Sequence, residues 1–258
     1  MADCLNEGGL NFTNLPLLES AVRASFQAPT TLSYELVMQV HQALRDTFPL
    51  LREPRQLEAA PGYGPSPTEF GPALLPGALY EGDRAGVVVS LHPHVIVARL
   101  VKLIVQESPY PRYQVLRKAL WRAVAAFREA AGESFPGVAV VNMSYTNLVV
   151  PRDAGTPILR YLSETAQPEI MTRGARARKL EASWAENDGI DLRYAVEAVT
   201  MSVAQQRKDG YRLTTAAGHR LSERLDAETA LDNLHARLQC FFRDLISPMA
   251  KTEWGLED

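Results

Sequence analysis

His92-Pro93-His94 holds the closest pair of histidines in the chain, and an i, i+2 spacing could present two imidazoles to one metal ion. The intervening proline argues for a turn, and a catalytic zinc needs a third protein ligand. None of His41, His219, His235, Cys4 and Cys240 stands near enough in sequence to be nominated. Nucleophilic chemistry fares no better, because Ser90 and Ser144 lack the glycine-flanked elbow that exposes an activated serine above a sheet. Glu7-Gly8-Gly9 and Gly62-Tyr63-Gly64 are not followed by the lysine and helix of a phosphate-cradling loop, which disfavours nucleotide binding of the P-loop or dinucleotide type. The sequence therefore names no catalytic residue, no metal ligands and no cofactor.

Two groups of residues suit binding. Arg173, Arg176, Arg178 and Lys179 form the densest basic cluster, able to hold an acidic partner or nucleic-acid phosphates from a loop, although a solvated connector is the plainer reading. In the β-prone run from Val138 to Val150, Val138, Val140, Asn142, Ser144 and Thr146 fall on one face, and Ala139, Val141, Met143 and Tyr145 on the other. A face that starts apolar and turns polar either emerges into solvent or lines a cleft. Asn142, Ser144, Thr146 and the adjacent Asn147 are thus the first candidates for a ligand-facing wall. Trp184 and Tyr194 sit on an apolar strand face and read as core or cross-strand partners rather than base-stacking platforms. His235 borders the apolar face of a helix, where a satisfied, buried histidine is expected.

The elements that must position these residues follow from periodicity. Leu18, Ser20, Val22, Ala24 and Phe26 alternate with Glu19, Arg23, Ser25 and Gln27 as a strand with one buried face. Leu36, Val37, Val40, Leu44 and Phe48 recur at helical spacing, with Thr31 or Ser33 as cap and Pro49 as terminator. Seven of the 17 prolines fall between Pro49 and Pro76, which predicts an irregular loop with at most one short edge strand. Val87–Leu91 and Val95–Leu100 form a hairpin turning at His92-Pro93-His94, followed by a helix along Val115, Leu116, Leu120, Val124 and Phe127 that ends at Gly132. Arg117, Lys118, Arg122 and Arg128 lie on its solvated side.

The second half repeats that order. After the strand at Val138–Val150, Thr156-Pro157 opens a short helix to about Leu162, and Leu180, Ala182 and Trp184 run out to Asn187-Asp188-Gly189, from which Leu192, Tyr194 and Val196 return. The apolar parity then shifts to Val199, Met201 and Val203, predicting a bulge near Glu197-Ala198, with Asp209-Gly210 as a further turn. A final helix along Leu231, Leu234, Leu238, Phe241, Phe242 and Leu245 starts at a cap on Asp226. The expected class is α+β: two related βαββ(β)α-type halves, residues 1–134 and 135–258, with antiparallel sheets backed by helices, or one fused domain. This duplication rests on element order, since no fixed-period repeat is visible.

Bulk properties bound the function. The 258 residues carry 46% hydrophobic and 22% charged side chains, enough to bury a sizeable core, and 27 basic against 30 acidic groups leave net −3. No global basic field exists for nucleic acid or an anionic membrane. The N-terminus places acidic residues where a secretory signal needs positive charge, and the longest uncharged run, Ser134 to Pro151, contains Asn142, Ser144, Thr146 and Asn147, which would be costly at a bilayer centre. A cytoplasmic protein without a membrane span is expected. Cys4 and Cys240, near opposite ends, do not suggest a disulfide framework.

Several stretches resemble a sporadically distributed family of bacterial, archaeal and phage proteins of unknown function. They are Leu15-Pro16-Leu17-Leu18-Glu19, Tyr113-Gln114-Val115-Leu116, Ser144-Tyr145-Thr146-Asn147, Leu231-Asp232-Asn233-Leu234-His235, Phe242, Ile246-Ser247 and Trp254-Gly255. The chain departs from the family at Met143-Ser144, where the family tends to show Leu-Arg, and in its proline-rich stretch. What the resemblance implies is an accessory role, such as phage defence or a toxin–antitoxin-like partnership, with no catalytic residue to carry over. The leading expectation is a non-enzymatic binding protein with a protein partner, for which a homo-oligomer is also compatible. The alternatives are an enzyme or nucleotide sensor with a site assembled between the halves, and a nucleic-acid-binding protein acting through the Arg173–Lys179 loop.

Overall fold

The computed structural model describes residues 11–12, 17–52, 75–82, 86–101, 113–151, 157–166, 179–186, 188–203, 206–222 and 225–257. Along them run β1 (Asn11–Phe12), β2 (Leu17–Phe26), α1 (Tyr34–Leu44), β3 (Leu50–Arg52), β4 (Ala78–Glu81), β5 (Val87–His92), β6 (Val95–Val101), α2 (Tyr113–Ala131), β7 (Val138–Val149), β8 (Lys179–Ala185), β9 (Ile190–Val203), β10 (Gln206–Arg220), α3 (Ala227–Leu245), α4 (Pro248–Trp254) and β11 (Leu256–Glu257). The class is α+β. One nine-stranded sheet has the order β3-β4-β5-β6-β2-β7-β10-β9-β8, and β1 pairs with β11 separately. Contacts divide the chain into two units, one of Ala21–Asn142 and Leu221–Glu228, the other of the described residues up to Ser20, Met143–Arg220 and Thr229 onward. β2 and β7 contribute to both.

In the unit containing α1 and α2, Ser33 caps α1 by accepting from the Leu36 amide at 3.1 Å, satisfying one of the amides that a helix start leaves over. Val37, Val40 and Leu44 form the buried stripe. Between them and the sheet lies Tyr80, fully buried, whose hydroxyl donates to the Val37 carbonyl at 3.3 Å; burial pushes its pKa up. α2 buries Leu116, Leu120, Ala123, Val124 and Phe127 and ends at Gly132, whose φ of 54° suits glycine. Phe127 stacks on Phe26 at 5.2 Å, with Phe135 edge-on to both. The arginines on the outer side of α2 find partners: Arg117 pairs with Glu228 at 2.9 Å, Arg122 donates to the Thr47 hydroxyl, and Arg128 lies over the Phe135 ring. The β5–β6 hairpin holds its predicted place, with His92 opposite Val95, so Pro93-His94 alone makes the turn.

In the other unit, β8 and β9 form the predicted hairpin, closed by Gly189 at φ 80°. Its core gathers Val149, Ile158, Tyr161, Leu162, Tyr194, Val196, Leu213, Phe242, Leu245, Ile246, Ala250 and Trp254. α4 is a short helix with strong end signals. Ser247 accepts from the Ala250 amide at 3.2 Å, Pro248 occupies the first turn, and Gly255 takes the left-handed position at φ 65°. The Ser247 hydroxyl also donates to the Arg160 carbonyl at 2.6 Å, tying α4 to the turn at Ile158–Tyr161. Ser247→Ala should therefore lower unfolding free energy by about 1–2 kcal/mol, read as a shift in urea midpoint at unchanged m-value.

Five expectations need correction. No bulge interrupts Glu197-Ala198: the β9–β10 register runs unbroken from Val203 opposite Gln206 to Ile190 opposite His219. Asp209-Gly210 is not a turn but mid-strand, because Asp209 faces Thr200 across the ladder and accepts its hydroxyl at 2.8 Å, which satisfies a carboxylate that would otherwise favour a turn. The short helix after Thr156-Pro157 is a 3-10 turn at Ile158–Tyr161, with Pro157 just outside it. β4 and α4 were not expected at all. Finally, Cys240, 3% exposed on α3, is disulfide-bonded, while Cys4 lies outside the described residues.

Candidate functional site

Alternation along β7 separates the four polar residues of the expected ligand wall. Met143, Asn147 and Val149 are buried on one face; Asn142, Ser144 and Thr146 are half-buried on the other. Asn147 is 1% exposed, and its Oδ1 has no hydrogen-bond partner, so it belongs to the interior and not beside the other three. Arg173, Arg176 and Arg178 lie outside the described residues; Lys179 opens β8. His92 is on a strand, with burial as the main cause holding its pKa down, while His94 is exposed in the turn. Among the described residues, no three histidines, cysteines or carboxylates converge to hold a metal ion.

Within the unit built on α3, the face carrying Ser144 and Thr146 can be followed strand by strand. Thr146 Oγ1 lies 3.3 Å from Thr214 Oγ1 on β10, which fixes the two strands' hydroxyls on one side. Thr214 stands opposite Ala195 on β9, Ala216 opposite Arg193, Arg212 opposite Glu197; beyond them Arg193 faces Ser183 and Ala195 faces Glu181 on β8. Small side chains line β7 and much of β10, while ion pairs bridge β9 to both neighbours: Arg193 to Glu181 on β8 at 3.5 Å and Glu197 to Arg212 on β10 at 3.4 Å. Half-exposed pairs of this kind contribute little stability, about 0–1 kcal/mol each. Their effect is to leave the surface ordered and nearly neutral.

The opposite face of the same strands is consumed by packing: Ile190, Leu192, Tyr194 and Val196 on β9 and Leu213, Thr215 and Ala217 on β10 are all buried. His219 shares that parity, so no imidazole on β10 stands beside the hydroxyl row. The Thr146 and Thr214 hydroxyls offer hydrogen-bond donors and acceptors to a ligand. Thr214, Ala216 and Arg193 were not foreseen as part of the surface. The signal for them is the alternation Arg212, Thr214, Ala216, Gly218, which the turn propensity of Asp209-Gly210 obscures.

Compared with known families and curated proteins, the chain matches no family model and no curated protein. Among the described residues, no helix is long and apolar enough to cross a membrane.

Proposed function

We propose that the protein is a non-enzymatic binding protein, built of two related α+β halves, that engages a protein partner through the face of β7, β10, β9 and β8 that carries Thr146 and Thr214. The observation that carries this reading is the contrast between two faces of the same strands. One is filled by core, and the other presents Ser144, Thr146, Thr214 and Ala216, all half-buried. Small side chains let a partner's backbone approach closely, while the flanking ion pairs supply a polar rim. The relatedness of the halves is supported by strand order. β2 lies beside β6, the last strand of the meander β3-β4-β5-β6, as β7 lies beside β10, the last of β8-β9-β10. The family resemblance supplies the setting, an accessory bacterial system such as phage defence or a toxin–antitoxin-like pair, and the net charge of −3 favours protein over nucleic acid.

Ala216→Glu tests the surface without attacking the fold, because the new carboxylate stands opposite Arg193. Tagged protein recovered from its native cells should bring down a stoichiometric partner. Ala216→Glu, at an unchanged melting temperature, should weaken that association at least about tenfold. Recovery of no partner, or equal recovery with the variant, rejects the reading.

A further inference from the structure

Charge is unbalanced on the face of β4, β5 and β6 that turns away from the core. The β5–β6 register sets Val88 opposite Arg99, Ser90 opposite Val97 and His92 opposite Val95, so these six side chains share one side of the sheet. Val89, Leu91, Ile96 and Ala98 are buried on the other. β4 continues the surface, with Leu79 opposite Ser90 and Glu81 opposite Val88. Glu81 is committed to Arg52 at 2.9 Å. Arg99 is half-buried, yet it forms no ion pair with any carboxylate of the described residues, and its Nε is enclosed without a hydrogen bond. By contrast, Arg117, Arg193, Arg212 and Arg237 each meet a carboxylate. A guanidinium that has lost part of its hydration is destabilised unless an anion or aimed acceptors replace the water.

The surroundings define what could replace it. His92 gives a ring N–H to the Pro76 carbonyl, while burial and then the nearby Arg99 charge disfavour its protonated form, so the imidazole is neutral at neutral pH. The positive charge is that of Arg99 alone. Because the other ring nitrogen of His92 then carries a lone pair, the imidazole flanks an anion rather than holding it. Ser90, 2% exposed, stands between His92 and Arg99 in the register, and Leu79, Val88, Val95 and Val97 make the rest of the surface apolar.

We propose that Arg99, flanked by His92, is the centre of a binding site for a monocarboxylate with a short apolar tail. Nη1 and Nη2 are not enclosed as Nε is, and they form a planar fork whose two donors match the two oxygens of a carboxylate. One cation balances one negative charge. A phosphate monoester, with nearly two, would bring a charge that nothing on this face neutralises. The valines and Leu79 suit an apolar tail, in the manner of pockets where few polar groups orient a ligand and apolar walls cover the remainder.

Isothermal titration of the full chain with butyrate, and separately with inorganic phosphate, tests this, together with NMR of the imidazole resonances. Butyrate should bind at one site per chain, and phosphate at least about tenfold more weakly. Bound butyrate should raise the His92 pKa, because it offsets the Arg99 charge that opposes the imidazolium, while His219 and His235 titrate unchanged. Arg99→Gln should weaken butyrate binding at least about tenfold, the loss of a charge-assisted fork. Should that variant fail to fold, Val88→Glu decides the matter: it sets a carboxylate opposite Arg99 in the ladder, a favourable cross-strand pair, and should displace butyrate to the same extent. Absence of butyrate binding to the wild type, phosphate binding as tight as butyrate, an unmoved His92 pKa, or binding indifferent to both variants overturns the proposal.

Discussion

Replacing Trp254 by alanine should lower the unfolding free energy by about 3–5 kcal/mol, the range for removing a large aromatic side chain from a packed interior. The indole is 4% exposed and lies between two rings, stacked on Tyr161 at 6.0 Å and on Phe242 at 6.1 Å, with interplanar angles of 11° and 8°. Those rings come from separate segments, the Ile158–Tyr161 turn and α3, so the tryptophan joins pieces of chain far apart in sequence. Collapse around the vacated space is restricted by α4 itself, which Ser247 and Gly255 fix at both ends. Trp184→Ala is the control. Its side chain is 44% exposed, and the loss should be about 1–2 kcal/mol because much of that surface never leaves water in the isolated chain. Urea denaturation of both variants measures the difference; equal midpoints would show that the Trp254 stack is not a core element.

The same residues show what could and could not be read before the fold was known. Strands that alternate, as β2 does from Val22 to Phe26, and helices with a clean apolar stripe, such as α2, follow from local side-chain pattern alone, and Gly132 and Gly189 both take the positive φ that their positions demand. α4 was legible in Ser247-Pro248 and Gly255 but was overshadowed by the long apolar series of α3 that precedes it. β4 spans only Ala78–Glu81, too short for alternation to stand out. The error at Asp209-Gly210 has a tertiary cause: a sequence that favours a turn in isolation is held extended by cross-strand partners on β9. The binding surface is the least local feature of all. Thr146 and Thr214 are brought together by pairing across 68 residues, and the separation of Asn147 from Asn142, Ser144 and Thr146 is a matter of strand parity that the expected patch disregarded.

Acidification should destabilise the protein through His235, and His235→Gln should remove a large part of that sensitivity. The imidazole lies on α3 between the buried Leu234 and Leu238, and burial holds its pKa down to about 4, with the Asp232 charge pulling weakly the other way. In the unfolded chain the same group titrates near 6.5. Between these values the unfolded state binds the proton and the folded state does not, so the contribution to stability is intact above pH about 6.5 and is lost progressively as the pH falls toward about 4. The full difference amounts to about 3 kcal/mol, reduced to about 2 kcal/mol by the partial solvent access of the ring. His92 adds to the effect in the same direction: burial, then the nearby Arg99 charge, disfavour its protonated form against the opposing pull of the Pro76 carbonyl. Glutamine keeps a polar, neutral side chain of similar length in place of His235 and has no proton to gain. Urea midpoints measured from pH 7 to pH 4.5 should therefore fall less steeply for His235→Gln than for the wild type, the two converging at neutral pH apart from a constant packing offset. Parallel curves over the whole interval would place the acid sensitivity in carboxylates common to both proteins and would show that the His235 ring is solvated as freely in the folded chain as in the unfolded one.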